Sequence, residues 1–115
     1  MTPEGQVKKS ICDYLAAYRK DVFFWMNESV GIFDPTRKIF RKKNSRYQMK
    51  GVSDILGIWD GQPLAIEVKS ATGRVSPDQK RFMERFQQEG GRAFVARSVE
   101  DVIEGLKING EASLD

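Results

Sequence analysis

The sequence predicts one α/β domain, a mixed sheet with helices on both faces, and three observations carry that prediction. Thr2-Pro3 and Ser76-Pro77 each place a capping residue before a proline, the mark of a helix start. Short runs rich in β-branched and aromatic residues lie between and after them. Asp60-Gly61 separates two of those runs, as a tight hairpin turn would.

From Pro3, the residues Val7, Ile11, Leu15 and Tyr18 recur at helical spacing, so a first helix extends to about Lys20. Val22-Phe23-Phe24-Trp25-Met26 reads as a buried strand. Residues 27–53 read as a long irregular connection with one short extended piece at Lys38-Ile39-Phe40. Asp54 to Trp59 and Leu64 to Lys69 are the two strands of the hairpin. The helix opened by Ser76 ends at Gly90-Gly91, Arg92 to Ala96 is a fourth strand, and Ser98 caps a last helix carrying Val102, Ile103 and Leu106. The order is α-β-β-β-α-β-α, with residues 1–108 as the domain and 109–115 as a frayed tail. Phe23, Trp25, Trp59, Phe82, Phe86 and Phe94 fall on strand or helix faces and are expected in the core. Cys12, in mid-helix, reads as a small apolar residue.

Composition narrows the chemistry. The chain of 115 residues contains no histidine and one cysteine, which excludes Ser-His and Cys-His catalysis, His-ligated metals and an internal disulfide. No apolar run is long enough for a membrane span, and the first residues carry no apolar signal region. Together with the lone thiol, this points to a reducing cytoplasm. The net charge of +3 hides a segregated distribution: Arg37, Lys38, Arg41, Lys42, Lys43, Arg46 and Lys50 fall between Pro35 and Ser53 with no acid among them. Cations at that density, interleaved with Phe40 and Tyr47, suit a polyanion such as nucleic acid. A solvated loop is the plainer account.

The hairpin brings the chemistry together. A two-residue turn at Asp60-Gly61 makes facing residue numbers sum to a constant, which sets Asp54 opposite Glu67. Alternation then puts Asp54, Glu67 and Lys69 on one face, the carboxylates about 5 Å apart at Cβ. Leu56, Ile58 and Ala65 share that face, and Ile55, Trp59, Leu64, Ile66 and Val68 lie on the other. Two acids on an apolar sheet are costly unless a cation joins them. That cation is either Lys69 or an arginine in a buried ion network, or a hard divalent ion such as Mg²⁺ or Mn²⁺ bound through oxygen.

The segments Gly51-Val52-Ser53-Asp54, Ile66-Glu67-Val68-Lys69 and Ser76-Pro77-Asp78-Gln79 resemble the motifs of PD-(D/E)XK nucleases, and most closely the VRR-NUC domain. The resemblance covers about residues 1–108 and implies a restriction-endonuclease-like αβββαβ core with a C-terminal helix. It implies Asp54, Glu67 and the Val68 carbonyl as metal ligands and Lys69 as the catalytic lysine. It makes Gln79 a residue that orients the lysine, a water or a phosphate. Glu4 matches an acid that reaches the metal through water in many junction resolvases; a solvated first-turn acid favoured by the helix dipole is the competing account. Two positions depart from the pattern: Ser53 stands where the superfamily name has proline, and Met83 where related exonucleases carry tyrosine.

The expected activity is a Mg²⁺- or Mn²⁺-dependent, structure-selective DNA endonuclease, with the Holliday junction as its leading substrate and a homodimer as its working form. A nuclease for flap, otherwise branched or single-stranded DNA is the alternative enzyme. A non-catalytic nucleic-acid-binding module is the alternative of another class. The expected setting is the bacterial cytoplasm, for a bacterial or phage-encoded protein.

Overall fold

The computed structural model describes residues 1–28, 32–41 and 46–107, with the backbone alone for 32–34 and 39–41. Helix α1 (Pro3–Tyr18) starts where the Gly5 N–H donates to the Thr2 hydroxyl at 3.0 Å, and it buries Ile11 and Leu15. Tyr18, expected on the same stripe, is exposed and stacks on Tyr14. Strand β1 (Val22–Met26) follows, and later β4 (Ile55–Trp59), β5 (Gln62–Val68) and β6 (Arg92–Ala96). They form one four-stranded sheet in the order β1-β4-β5-β6, antiparallel except for the parallel β5–β6 pair. That parallel pair needs a crossover, which α2 (Pro77–Gln88) supplies.

The hairpin forms as the turn chemistry requires. Asp60 (φ 52°) and Gly61 (φ 73°) both occupy the left-handed region, as a two-residue turn of the primed type demands. Ile55 pairs with Ile66 and Leu56 with Ala65, the register expected from the sequence. One face packs on α1 and on α3 (Val99–Gly105) through Ile55, Ile66, Val68 and Phe94. The other packs Ala65, Ala93 and Val95 against Met83 of α2. Cys12 is half-buried, its thiol 3.3 Å from the Met26 sulfur.

Two expectations need correction. Phe23 and Trp25 are not core residues: they are 69% and 46% exposed, while Trp59 and Phe94 are buried. β1 is an edge strand, and its alternate residues rise from the part of the sheet that α2 does not reach. The long connection is also less irregular than its composition suggests. A second, two-stranded antiparallel sheet pairs β2 (Ile32–Asp34) with β3 (Ile39–Arg41) around a turn that begins at Pro35. Apolar pairs flanking an Asp-Pro turn were a hairpin signal hidden by the surrounding charge. Residues 108–115, including the tail read from the sequence, lie outside the described residues.

Candidate active site

Three functional side chains converge at one end of the sheet. Asp54 immediately precedes β4, Glu67 is the next-to-last residue of β5, and Lys69 follows its end. The Lys69 N–H donates to the Ala96 carbonyl at 3.0 Å, so the β5–β6 ladder still holds the backbone where the lysine leaves it. Gly51 fixes the approach to Asp54. Its φ of +77° and the closeness of the Asp78–Gln79 peptide leave no room for a side chain, so the loop seats on the start of α2.

Asp54 is held from two sides. Its Oδ2 accepts the Val68 N–H at 2.9 Å, and its Oδ1 lies 3.3 Å from the Lys8 ammonium of α1. Glu67 is 2% exposed and Lys69 9% exposed. Burial drives Glu67 upward, to about 9; hydrogen bonding to Asp54 and repulsion from Asp54 add to the rise, which the Lys69 charge partly offsets. For Asp54, burial also works upward, but the Glu67, Val68 and Lys8 contacts prevail and its carboxyl lies below the usual value. The pair therefore shares one negative charge at neutral pH, with Lys8 as counter-ion.

Glu67 Oε1 and Ser53 Oγ are buried with no hydrogen-bond partner among the described residues. An orphaned carboxylate oxygen in a native interior marks a missing partner. Beside a second carboxylate, it is the donor chemistry of a hard divalent cation. Among the described residues no group of three or more Asp, Glu, His or Cys is close enough to hold a metal. The donors that fit such an ion are thus Asp54, Glu67 and backbone or water oxygen, the Val68 carbonyl being nearest in sequence.

The remaining sequence candidates divide. Glu4 is near enough for its charge to raise Glu67 further. Gln79 completes a capping box with Ser76: its Oε1 accepts the Ser76 N–H at 2.8 Å, and its own N–H donates to the Ser76 hydroxyl. Arg37, Lys38, Arg46 and Lys50 are exposed. Lys42, Lys43 and the Arg41 side chain lie outside the described residues. Lys8 is the residue that sequence reasoning missed. The signal was present: Glu4, Lys8, Ile11 and Leu15 follow one helical stripe, so Lys8 shares the face that meets the sheet.

The family model of the VRR-NUC domain matches residues 19–100, a span that contains Asp54, Glu67, Val68, Lys69 and Gln79 and begins after Glu4 and Lys8. No curated protein matches the chain.

Proposed function

The chain belongs to the VRR-NUC family and is a nuclease of the PD-(D/E)XK type, and from that premise we propose a Mg²⁺- or Mn²⁺-dependent endonuclease that selects branched DNA by shape. The observation that carries this reading is the Asp54–Glu67 pair, with Glu67 Oε1 buried and unpartnered.

Asp54, Glu67 and the Val68 carbonyl would hold the ion, with Glu4 acting through water. An ion held there would polarise a phosphoryl oxygen and lower the pKa of a water. Lys69, held at the end of β5, orients the attacking water and offsets the charge that builds on the phosphate. Gln79, through the amide nitrogen that its capping box leaves over, steadies Lys69 or a phosphate oxygen. Arg37, Lys38, Arg41, Lys42, Lys43, Arg46 and Lys50 contact the sugar–phosphate backbone, which positions a substrate without reading its sequence. No helix is long and apolar enough to cross a membrane among the described residues. A four-way junction is the leading substrate, and symmetric cuts on two strands call for two sites and hence a homodimer.

The test is cleavage of a panel of junctions, flaps, duplexes and single strands with Mg²⁺ or Mn²⁺. Symmetric nicks in the junction, lost in EDTA and in Glu67→Gln, are expected. Full cleavage by Glu67→Gln overturns the site. A monomer that prefers flaps or single strands replaces the junction reading. Binding of every substrate without cutting leaves a non-catalytic module.

A further inference from the structure

The sheet face that carries the carboxylates is ordered in rows. Asn27, whose N–H donates to the Asp54 carbonyl, extends β1 so that Asn27, Asp54 and Glu67 share one row. Trp25, Leu56 and Ala65 form the next, and Phe23, Ile58 and Pro63 the third. Helix α2 packs on β5 and β6. Leu56 still packs against the Ala65–Met83 cluster, but toward the β1 edge the rows open, with Phe23 69%, Trp25 46% and Ile58 40% exposed. The Phe23 and Trp25 rings lie against each other, centroids 5.7 Å apart. Large apolar side chains grouped on an open edge-strand face invite association and are a liability without an occupant.

The position of the patch identifies the occupant. Trp25 is the diagonal neighbour of Asp54, an interval of about 7–8 Å that aromatic side chains bridge. At the end of the same strand, Asn27 lines an open cleft of about 530 Å³ together with Lys50 and Gly51. The carboxylate pair, suited to a metal and phosphate, and Lys50, suited to a neighbouring phosphate, thus stand at the same end of the sheet, and the aromatic pair begins one row below them. The patch is small for a second copy of this chain. At these exposures its three side chains present about 300 Å², against about 800 Å² per partner in a stable interface. The Phe23 and Trp25 rings meet at 54°, so the half-exposed Trp25 face, flanked by Phe23, is of a size for one nucleobase.

We propose that Phe23 and Trp25 form a stacking platform for an unpaired base beside the scissile phosphate. The inference rests on the nuclease reading and deepens it by naming the substrate class: DNA with a splayed or unpaired base next to the cut, as at a branch point, flap or gap. A base inside a duplex has both faces covered by its neighbours and must be extruded to reach Trp25. An unpaired base avoids that cost. Stacking accepts any base, so the platform selects by structure and leaves sequence unread.

The experiment places 2-aminopurine at an unpaired position one nucleotide from a branch and follows its fluorescence and anisotropy in EDTA, where no cutting occurs. The wild-type protein is expected to quench the probe and to bind this DNA about tenfold or more tighter than the matched duplex. Trp25→Leu loses the quench and the preference while keeping duplex affinity, and Trp25→Phe restores part of both. A Trp25→Leu protein that keeps the quench and the preference overturns the platform and leaves the nuclease reading intact. So does light scattering in which Trp25→Leu turns a dimer into a monomer, because the patch is then the interface between two copies. A wild-type protein that neither binds nor, with Mn²⁺, cuts any of these DNAs overturns both readings.

Discussion

On the face that carries the carboxylates, the β5–β6 half lies under α2 and the β1–β4 half lies open. The covered half is built from small residues: Ala65, Ala93 and Val95 are buried beneath Met83. The open half carries the larger ones, Phe23, Trp25 and Ile58. Residue size therefore runs opposite to burial. Small side chains let a helix approach the sheet closely, whereas large ones without a helix above them are available to something outside the chain. The border between the halves passes between Asp54 and Glu67. Neighbours in one row, they are shifted in opposite directions: burial raises Glu67, whereas the hydrogen bonds to Glu67 and to the Val68 N–H, joined by the Lys8 ammonium, hold Asp54 below its usual value against its own burial.

Four measurements break or sharpen this contrast. In the covered half, Met83→Ala should cost about 2–5 kcal/mol in denaturant unfolding, since it leaves a cavity between α2 and the sheet. A loss under 1 kcal/mol would show that α2 is loosely seated.

The second measurement uses Glu67. Its ordinary value of 4.5 rises to about 9 in the metal-free fold, so the folded state holds the proton more tightly than the unfolded chain. The stability that this contributes is complete below pH 4.5 and declines as pH climbs toward 9. Cation binding must release that proton, so affinity runs the other way. Calorimetry with Mn²⁺ should show affinity rising by about tenfold per pH unit between about pH 6 and 8. Glu67→Gln should flatten the pH dependence of metal-free stability. A melting temperature that still falls with pH in that variant would place the proton elsewhere.

On the open side of the border, Lys8→Ala should tighten Mn²⁺ binding by about three- to tenfold, because the ammonium at 3.3 Å no longer competes for Asp54. Unchanged affinity would mean that Lys8 swings away at no cost. The smallest effect belongs to Trp25→Ala, which gives up a half-covered ring and its contact with Phe23 and should cost about 0.5–1 kcal/mol of unfolding free energy. A larger loss would return Trp25 to the core.

Much of this was legible in the chain. The Asp60-Gly61 turn determined the hairpin register, and the register placed Asp54 across from Glu67 with no further information. Thr2, Ser76 and Ser98 announced three helix starts, each confirmed by a side-chain oxygen that accepts a backbone N–H. These features succeed because they are local. A turn type, a cap or a strand alternation depends on residues a few positions apart, and the sequence states those separations directly.

Two features depended on the tertiary structure, for one shared reason. Phe23 and Trp25 are as apolar as any core strand, and their exposure follows from which strand α2 spans. Lys8 looks like a surface lysine until α1 is laid across the end of the sheet and brings it to Asp54. The sequence by itself determined which residues prefer cover, which carry charge and which face each other across a turn. Only the packing of helices on the sheet decided which apolar side chains were left open and which cation met which carboxylate. Those contacts join segments far apart in the chain, and their separation in space is not encoded in any local pattern.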